Sequence, residues 1–163
     1  MYQSATYGKL ELEQIPGKIL DYYQKMKHFG TAFSITIGSD SQTFDTLKLV
    51  NVIAVICEGH GGIFFYEITR QPRTNDVRQK LTMETNESLQ VALKLTELLE
   101  APVYEELRRA VHLSIHIDAG WNPNGKTKDL IPFLVGWIKG MGLECHVKPD
   151  SFVASSIADK ISK

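Results

Sequence analysis

Two stretches of this chain alternate strictly between apolar and polar residues, and each reaches an aspartate on its polar phase. In AFSITIGSD, Phe33, Ile35 and Ile37 share one face, and Ser34, Thr36, Gly38 and Asp40 share the other. In VHLSIHID, Val111, Leu113, Ile115 and Ile117 alternate with His112, Ser114, His116 and Asp118. Period-two alternation marks a strand with one face buried. If the two strands are parallel neighbours, both carboxylates emerge at the same carboxyl edge, where open α/β sheets hold their ligands. Two like charges a few ångströms apart are costly unless a cation lies between them. A hard divalent ion held by carboxylate oxygens meets that need. The competing reading is that each aspartate only caps a turn or the following helix.

The rest of the chain supplies the frame for such a sheet. LELEQIPGKILDYYQKMK predicts an N-terminal helix over residues 10 to 27, broken near Pro16 and Gly17. LKLVNVIAVICEG and GIFFYEIT read as two further strands, with Gly59, His60, Gly61 and Gly62 as their hairpin turn. A long helix follows from about Asp76 to Glu100, its apolar stripe made by Leu89, Ala92, Leu93, Leu95, Leu98 and Leu99, and Pro102 ends it. After VHLSIHID come a loop, a helix through about Met141, the short strand LECHVK and the closing helix FVASSIADKIS. The order is helix, three strands, helix, strand, helix, strand, helix. It predicts an α/β fold in which a three-strand antiparallel meander and two parallel strands form one mixed sheet with helices on its faces.

Composition narrows the function. A chain of 163 residues is most simply one folded domain with an optional extension. The longest apolar runs are too short to span a membrane, and MYQSATYGKLELEQ has no secretion signal. Cys57 and Cys145 are too few for a disulfide framework or a four-cysteine zinc site, so a cytoplasmic protein is expected. They read as small buried hydrophobes. A net charge of −1 gives no global basic field, although Arg70, Arg73, Arg78 and Lys80 crowd one stretch and Lys126 and Lys128 another.

One motif must be set against this frame. Gly120, Gly125, Lys126 and Thr127 satisfy the spacing of a phosphate-binding P-loop. In P-loop folds that loop follows an early strand, whereas here only a helix, a short strand and another helix remain. Pro123 also removes one N–H from the cradle. No nucleotide cofactor is therefore expected. The loop turns the chain into the next helix, with Lys126 and Thr127 near a substrate phosphate and Trp121 free to stack on a base. Trp137 reads as core. His116, Asp118 and His146 could form a transition-metal site, but strand histidines under a helix are more often satisfied core residues.

The strand order, GSDSQ on the first long strand, a glutamate early in the long helix, HIDAGWN on the fourth strand and ASSIADKIS in the last helix resemble the ribonuclease H fold. More narrowly, the GSDSQ, HIDAGWNPNGKT and VKPDSFVASSIADK blocks resemble the YkuK-like family of ribonuclease-H-like proteins. The resemblance implies a domain over residues 29–163 preceded by a helical extension over 1–28. It also implies a metal-dependent nuclease whose four carboxylates bind two Mg²⁺ or Mn²⁺ ions and cleave a phosphodiester of RNA, DNA or a hybrid. Asp40 and Asp118 match the two strand aspartates. For the helix glutamate, Glu87 is preferred to Glu84, because Val91, Ala92 and Leu95 place it beside the buried stripe. For the last aspartate, Asp159 is preferred to Asp150 on helix spacing. The basic protrusion of well-studied ribonucleases H has no counterpart here. A non-catalytic nucleic-acid- or protein-binding module on the same fold is the alternative.

Overall fold

The structure is a computed structural model that describes residues 1–120, 124–151 and 153–163, with 153–155 described by backbone alone. The described residues form seven strands, β1 (Tyr2–Ser4), β2 (Gly8–Leu10), β3 (Phe33–Thr43), β4 (Leu47–Cys57), β5 (Gly61–Gln71), β6 (Val111–Gly120) and β7 (Glu144–Lys148). All belong to one sheet in the order β2-β1-β5-β4-β3-β6-β7. β3, β4 and β5 are the antiparallel meander, and β6 and β7 run parallel to β3. Five α-helices accompany them: α1 (Ile15–Met26), α2 (Val77–Leu98), α3 (Glu105–Ala110), α4 (Ile131–Gly140) and α5 (Val153–Ser162).

Alternation along the central strands sends two sets of apolar side chains to opposite faces. Ile35, Ile37, Ile53, Phe65 and Ile115 pack with Ile15 and Ile19 of α1, Leu89 and Leu95 of α2, and Ile131 and Leu134 of α4. On the other face Val50, Val52 and Ala54 of β4 pack under Ala158 of α5. Each fully buried side chain of this size contributes roughly 1.5–3 kcal/mol relative to exposure. The β3 and β6 strands therefore lie between two helical layers.

Four local features depart from the sequence reading. The first ten residues form the β1–β2 hairpin, and β1 adds to the edge of β5 through Gln3 and Tyr66. Pro16 stands in the first turn of α1 rather than breaking it, because a missing N–H costs nothing there. β3 and β6 also continue past their aspartates. Asp40 pairs with Val50 of β4, and β3 stays paired with β4 through Thr43, while its parallel pairing with β6 runs from Phe33↔Val111 to Gly38↔His116. α3, between Pro102 and β6, had no counterpart in the sequence reading.

Candidate functional site

Beyond Gly38 and His116 the ladder between β3 and β6 stops, and the space between them opens as a cleft of about 270 Å³. Asp40 and Ser41 of β3, Lys80 and Glu84 of α2, Asp118 of β6 and Thr127 line it. The parallel register thus brings Asp40 and Asp118 to one sheet edge, and α2 adds a third carboxylate.

Each acid has its own internal partner. Ser162 Oγ of α5 donates to Asp40 Oδ2 at 2.5 Å. Burial raises the Asp40 carboxyl above the usual carboxylate range; the Ser162 hydrogen bond opposes this, and the charges of Asp118 and Asp159 add to it. Ser41 Oγ donates to Glu84 Oε1 at 2.5 Å. Burial pushes Glu84 up to about 8, the Ser41 hydrogen bond and Lys80 oppose the rise, and Asp40 and Asp118 reinforce it. Asp118 meets the Lys148 ammonium at 2.6 Å. Asp159 pairs with Lys163 at 2.8 Å near the end of α5.

The helix glutamate at the cleft is Glu84. Glu87 lies toward the β1–β5 edge: burial raises its carboxyl, Glu67 adds to that, and its charge acts on Tyr2. The physical reason is the buried stripe of α2, which runs through Leu81, Glu84, Thr85, Ser88, Ala92 and Leu95 in steps of three and four. Its N-terminal half is polar because it packs on the serines of β3: Ser39 Oγ and Ser88 Oγ are 2.8 Å apart. Asp150 is exposed in the turn after β7, its N–H donating to the Val147 carbonyl.

Of the substrate-binding residues read from the sequence, Thr127 lines the cleft and Lys126 is exposed, both in turns four and five residues before α4. Trp121 lies outside the described residues, as does most of the P-loop-like segment's first half. Trp137 is half-buried: it packs against the main core and also borders a surface groove with Phe133. Cys57 is buried; Cys145 is half-buried, and burial pushes its thiol up to about 11.

The histidines are not satisfied core residues. His116 and His146 meet edge to face with ring centroids 5.4 Å apart, and buried Nδ1 of His116 has no hydrogen-bond partner among the described residues. Burial, then His146, lowers His116 to about 4. His146 Nε2 lies 2.9 Å from Glu144 Oε1, and His112 pairs with the other oxygen of Glu144. Asp118 is held by Lys148 and His146 by Glu144, so the three residues of the transition-metal reading do not converge on one point.

As a donor set, Asp40, Glu84 and Asp118 suit a hard divalent cation: all are carboxylates, they share one cleft, the charge of Asp118 penalises Asp40, and both penalise Glu84. In the present arrangement each faces a different internal donor. Among the described residues no three His, Cys, Asp or Glu side chains are grouped to hold one metal ion. The sequence signals for Ser41, Lys148 and Ser162 were absent, because each acts through pairing across the fold.

The mixed sheet, the helix layers and the edge carboxylates together define a ribonuclease H-like protein. The chain belongs to the Ribonuclease H-like family, whose model matches residues 14–163. Over its full length it is 26% identical to the uncharacterized protein YkuK of Bacillus subtilis strain 168, covering 97% of that protein. No solved structure matches the chain. No helix among the described residues is long and apolar enough to cross a membrane.

Proposed function

We propose that the cleft between β3 and β6 binds Mg²⁺ or Mn²⁺ and that the protein hydrolyses phosphodiester bonds of nucleic acid. The reading rests on one observation above others: Asp40, Glu84 and Asp118 line a single cleft, in which the charge of Asp118 raises Asp40 and the charges of Asp40 and Asp118 raise Glu84. Asp40, Glu84 and Asp118 would hold the metal, with Asp159 as a fourth carboxylate from α5. Glu87 is left out of this set. Bound divalent ions supply activation of water and stabilisation of the leaving oxygen in phosphoryl transfer. Two ions, the number implied by the family, require Asp118 to exchange its partner Lys148 for metal. Lys80 and Thr127, which line the cleft, would meet a substrate phosphate, and the exposed Lys126 its flank. Two free cysteines suit a reducing compartment, so the nucleic acid would be cytoplasmic.

A second reading, a non-catalytic nucleic-acid- or protein-binding module, is favoured by a specific observation: every acid of the cleft already holds a hydroxyl or an ammonium. Thermal melts with and without Mn²⁺, run beside cleavage of RNA, DNA and hybrid substrates, separate the two. The nuclease reading expects Mn²⁺ to raise the melting temperature, and Asp40→Asn to abolish both that rise and any cleavage. In metal-free buffer the variant should be as stable as wild type or slightly more so, since one buried carboxylate is gone. A wild-type protein with neither a metal-dependent shift nor cleavage leaves the binding module.

A further inference from the structure

Lys148 closes β7 directly beside Gly120 of β6. The β6–β7 ladder slips between His116 and Gly120, which carries the end of β7 past the level of Asp118. At Gly120 an added Cβ would stand 3.2 Å from Lys148 Cβ, so the glycine leaves the space in which the lysine stem rises. The stem ends with its ammonium 2.6 Å from Asp118 Oδ1. Asp118 is 21% exposed and Lys148 56%, so the carboxylate is partly withdrawn from water while the lysine remains largely in it.

A single positive charge is thus tied to an acid that any divalent ion in the cleft would need. Both cations answer the same repulsion, because the charge of Asp118 bears on Asp40 and on Glu84. The lysine carries one charge on a flexible four-carbon stem and binds through a point contact; a divalent ion carries two and takes several oxygens. We propose that Lys148 is a tethered counter-cation that competes with the divalent ion for Asp118 and thereby sets the metal affinity of the cleft. The proposal rests on the metal reading above. Lys148 acts through Asp118 and is a positioning residue.

Calorimetric titration of Mn²⁺ alone into the full chain at 0.15 M salt tests it, using wild type, Lys148→Gln and Lys148→Arg. A partly exposed ion pair is worth up to about 1 kcal/mol, so its removal should tighten Mn²⁺ binding roughly two- to fivefold. Lys148→Arg keeps the charge and should stay within about twofold of wild type. Thermal melts should show a crossover: metal-free Lys148→Gln melts below wild type, yet gains more from saturating Mn²⁺. Adding Asp118→Asn to Lys148→Gln should erase the gain in affinity. Binding by Lys148→Gln that equals or falls below that of a Mn²⁺-binding wild type overturns the proposal, as does a gain that survives Asp118→Asn. If neither protein binds Mn²⁺ up to millimolar concentration, the metal reading itself falls and takes the proposal with it. Binding by Lys148→Gln where wild type shows none supports both.

Discussion

On the α2 side of the cleft, Ser41 meets Glu84 and Ser39 meets Ser88, and all four residues are buried. On the β7 side, Lys148, Glu144 and His146 each keep more than a third of the side chain in water. The same sheet edge therefore has a dry flank held by hydroxyls and a wet flank held by charges. On the dry flank an acid is kept near neutrality by desolvation, and serines supply the hydrogen bonds that a buried carboxyl requires. On the wet flank ionic groups pair at little cost and can exchange partners. A cleft built this way has one rigid wall and one adjustable wall, which matches a division between a fixed acid, Glu84, and an acid with a removable partner, Asp118.

The largest expected effect lies on the dry flank. Glu84 titrates at about 8 in the fold against an ordinary value of 4.5. A carboxyl raised in the folded state contributes fully below its unfolded value, and that contribution is lost as pH climbs through the folded one. The metal-free protein should therefore lose stability between about pH 4.5 and 8 on account of this group. Glu84→Gln keeps an acceptor for Ser41 and removes the charge. It should raise the melting temperature at pH 9 on the order of 5–10 °C, with little change at pH 5. Glu87→Gln, on the β1 side of the helix, should give a much smaller rise. Melts of both variants across pH check this; equal effects would mean that Glu84 is not held in a dry wall.

The pH response of the other flank has the opposite sign. His116 is buried beneath the wet surface, and its value is lowered to about 4 from 6.5, by burial first and by His146 second. A base depressed in the folded state stabilises above its unfolded value, and that contribution is lost as pH falls through the folded one. Metal-free protein should thus weaken between about pH 6.5 and 4. His116→Gln should flatten this acid limb, recovering on the order of 1–3 kcal/mol at pH 4.5 relative to the pH 8 difference between the two proteins. Denaturant unfolding at the two pH values measures it. An unchanged acid limb would show that His116 is solvated enough to protonate without cost, and the contrast between a dry and a wet wall would then stop at the surface.

The two flanks also differ in how much of them could be read from the sequence. Asp40 and Asp118 were legible because alternation is local: Phe33, Ile35 and Ile37 fix the face of β3 without knowledge of its neighbour, and Val111 to Ile117 do the same for β6. The mixed sheet followed from the order of elements. Glu84 was not legible from an apolar stripe that fades at Leu89, since the buried residues continuing it, Ser88 and Thr85, are polar, and Ser88 meets Ser39 rather than an isoleucine. Stepping back from Ala92 by threes and fours, through Ser88 and Glu84 to Leu81, would have found it. Lys148 depends on a slip between β6 and β7 that no local pattern encodes. The β1–β2 hairpin was missed because strands of three residues carry too few alternations to stand out.

The smallest expected effect is at the outer edge of the wet flank. Glu144 accepts from His146 and pairs with His112, three groups that look like a network in projection. Their exposure argues otherwise: His112 is 69% exposed, and Glu144 and His146 are 39% and 36%. Charges at such positions interact through a largely aqueous medium and are screened by salt over about 8–10 Å. Exposed pairs of this kind contribute about 0–1 kcal/mol. Glu144→Gln keeps the shape and one acceptor, so it should lower the melting temperature at pH 6 by no more than about 2–4 °C. In 0.5 M NaCl the difference should shrink further. A loss several times larger, insensitive to salt, would mean that His112, Glu144 and His146 act as one desolvated unit. The β7 wall would then be as fixed as the α2 wall, and Asp118 would have no adjustable side from which to exchange its partner.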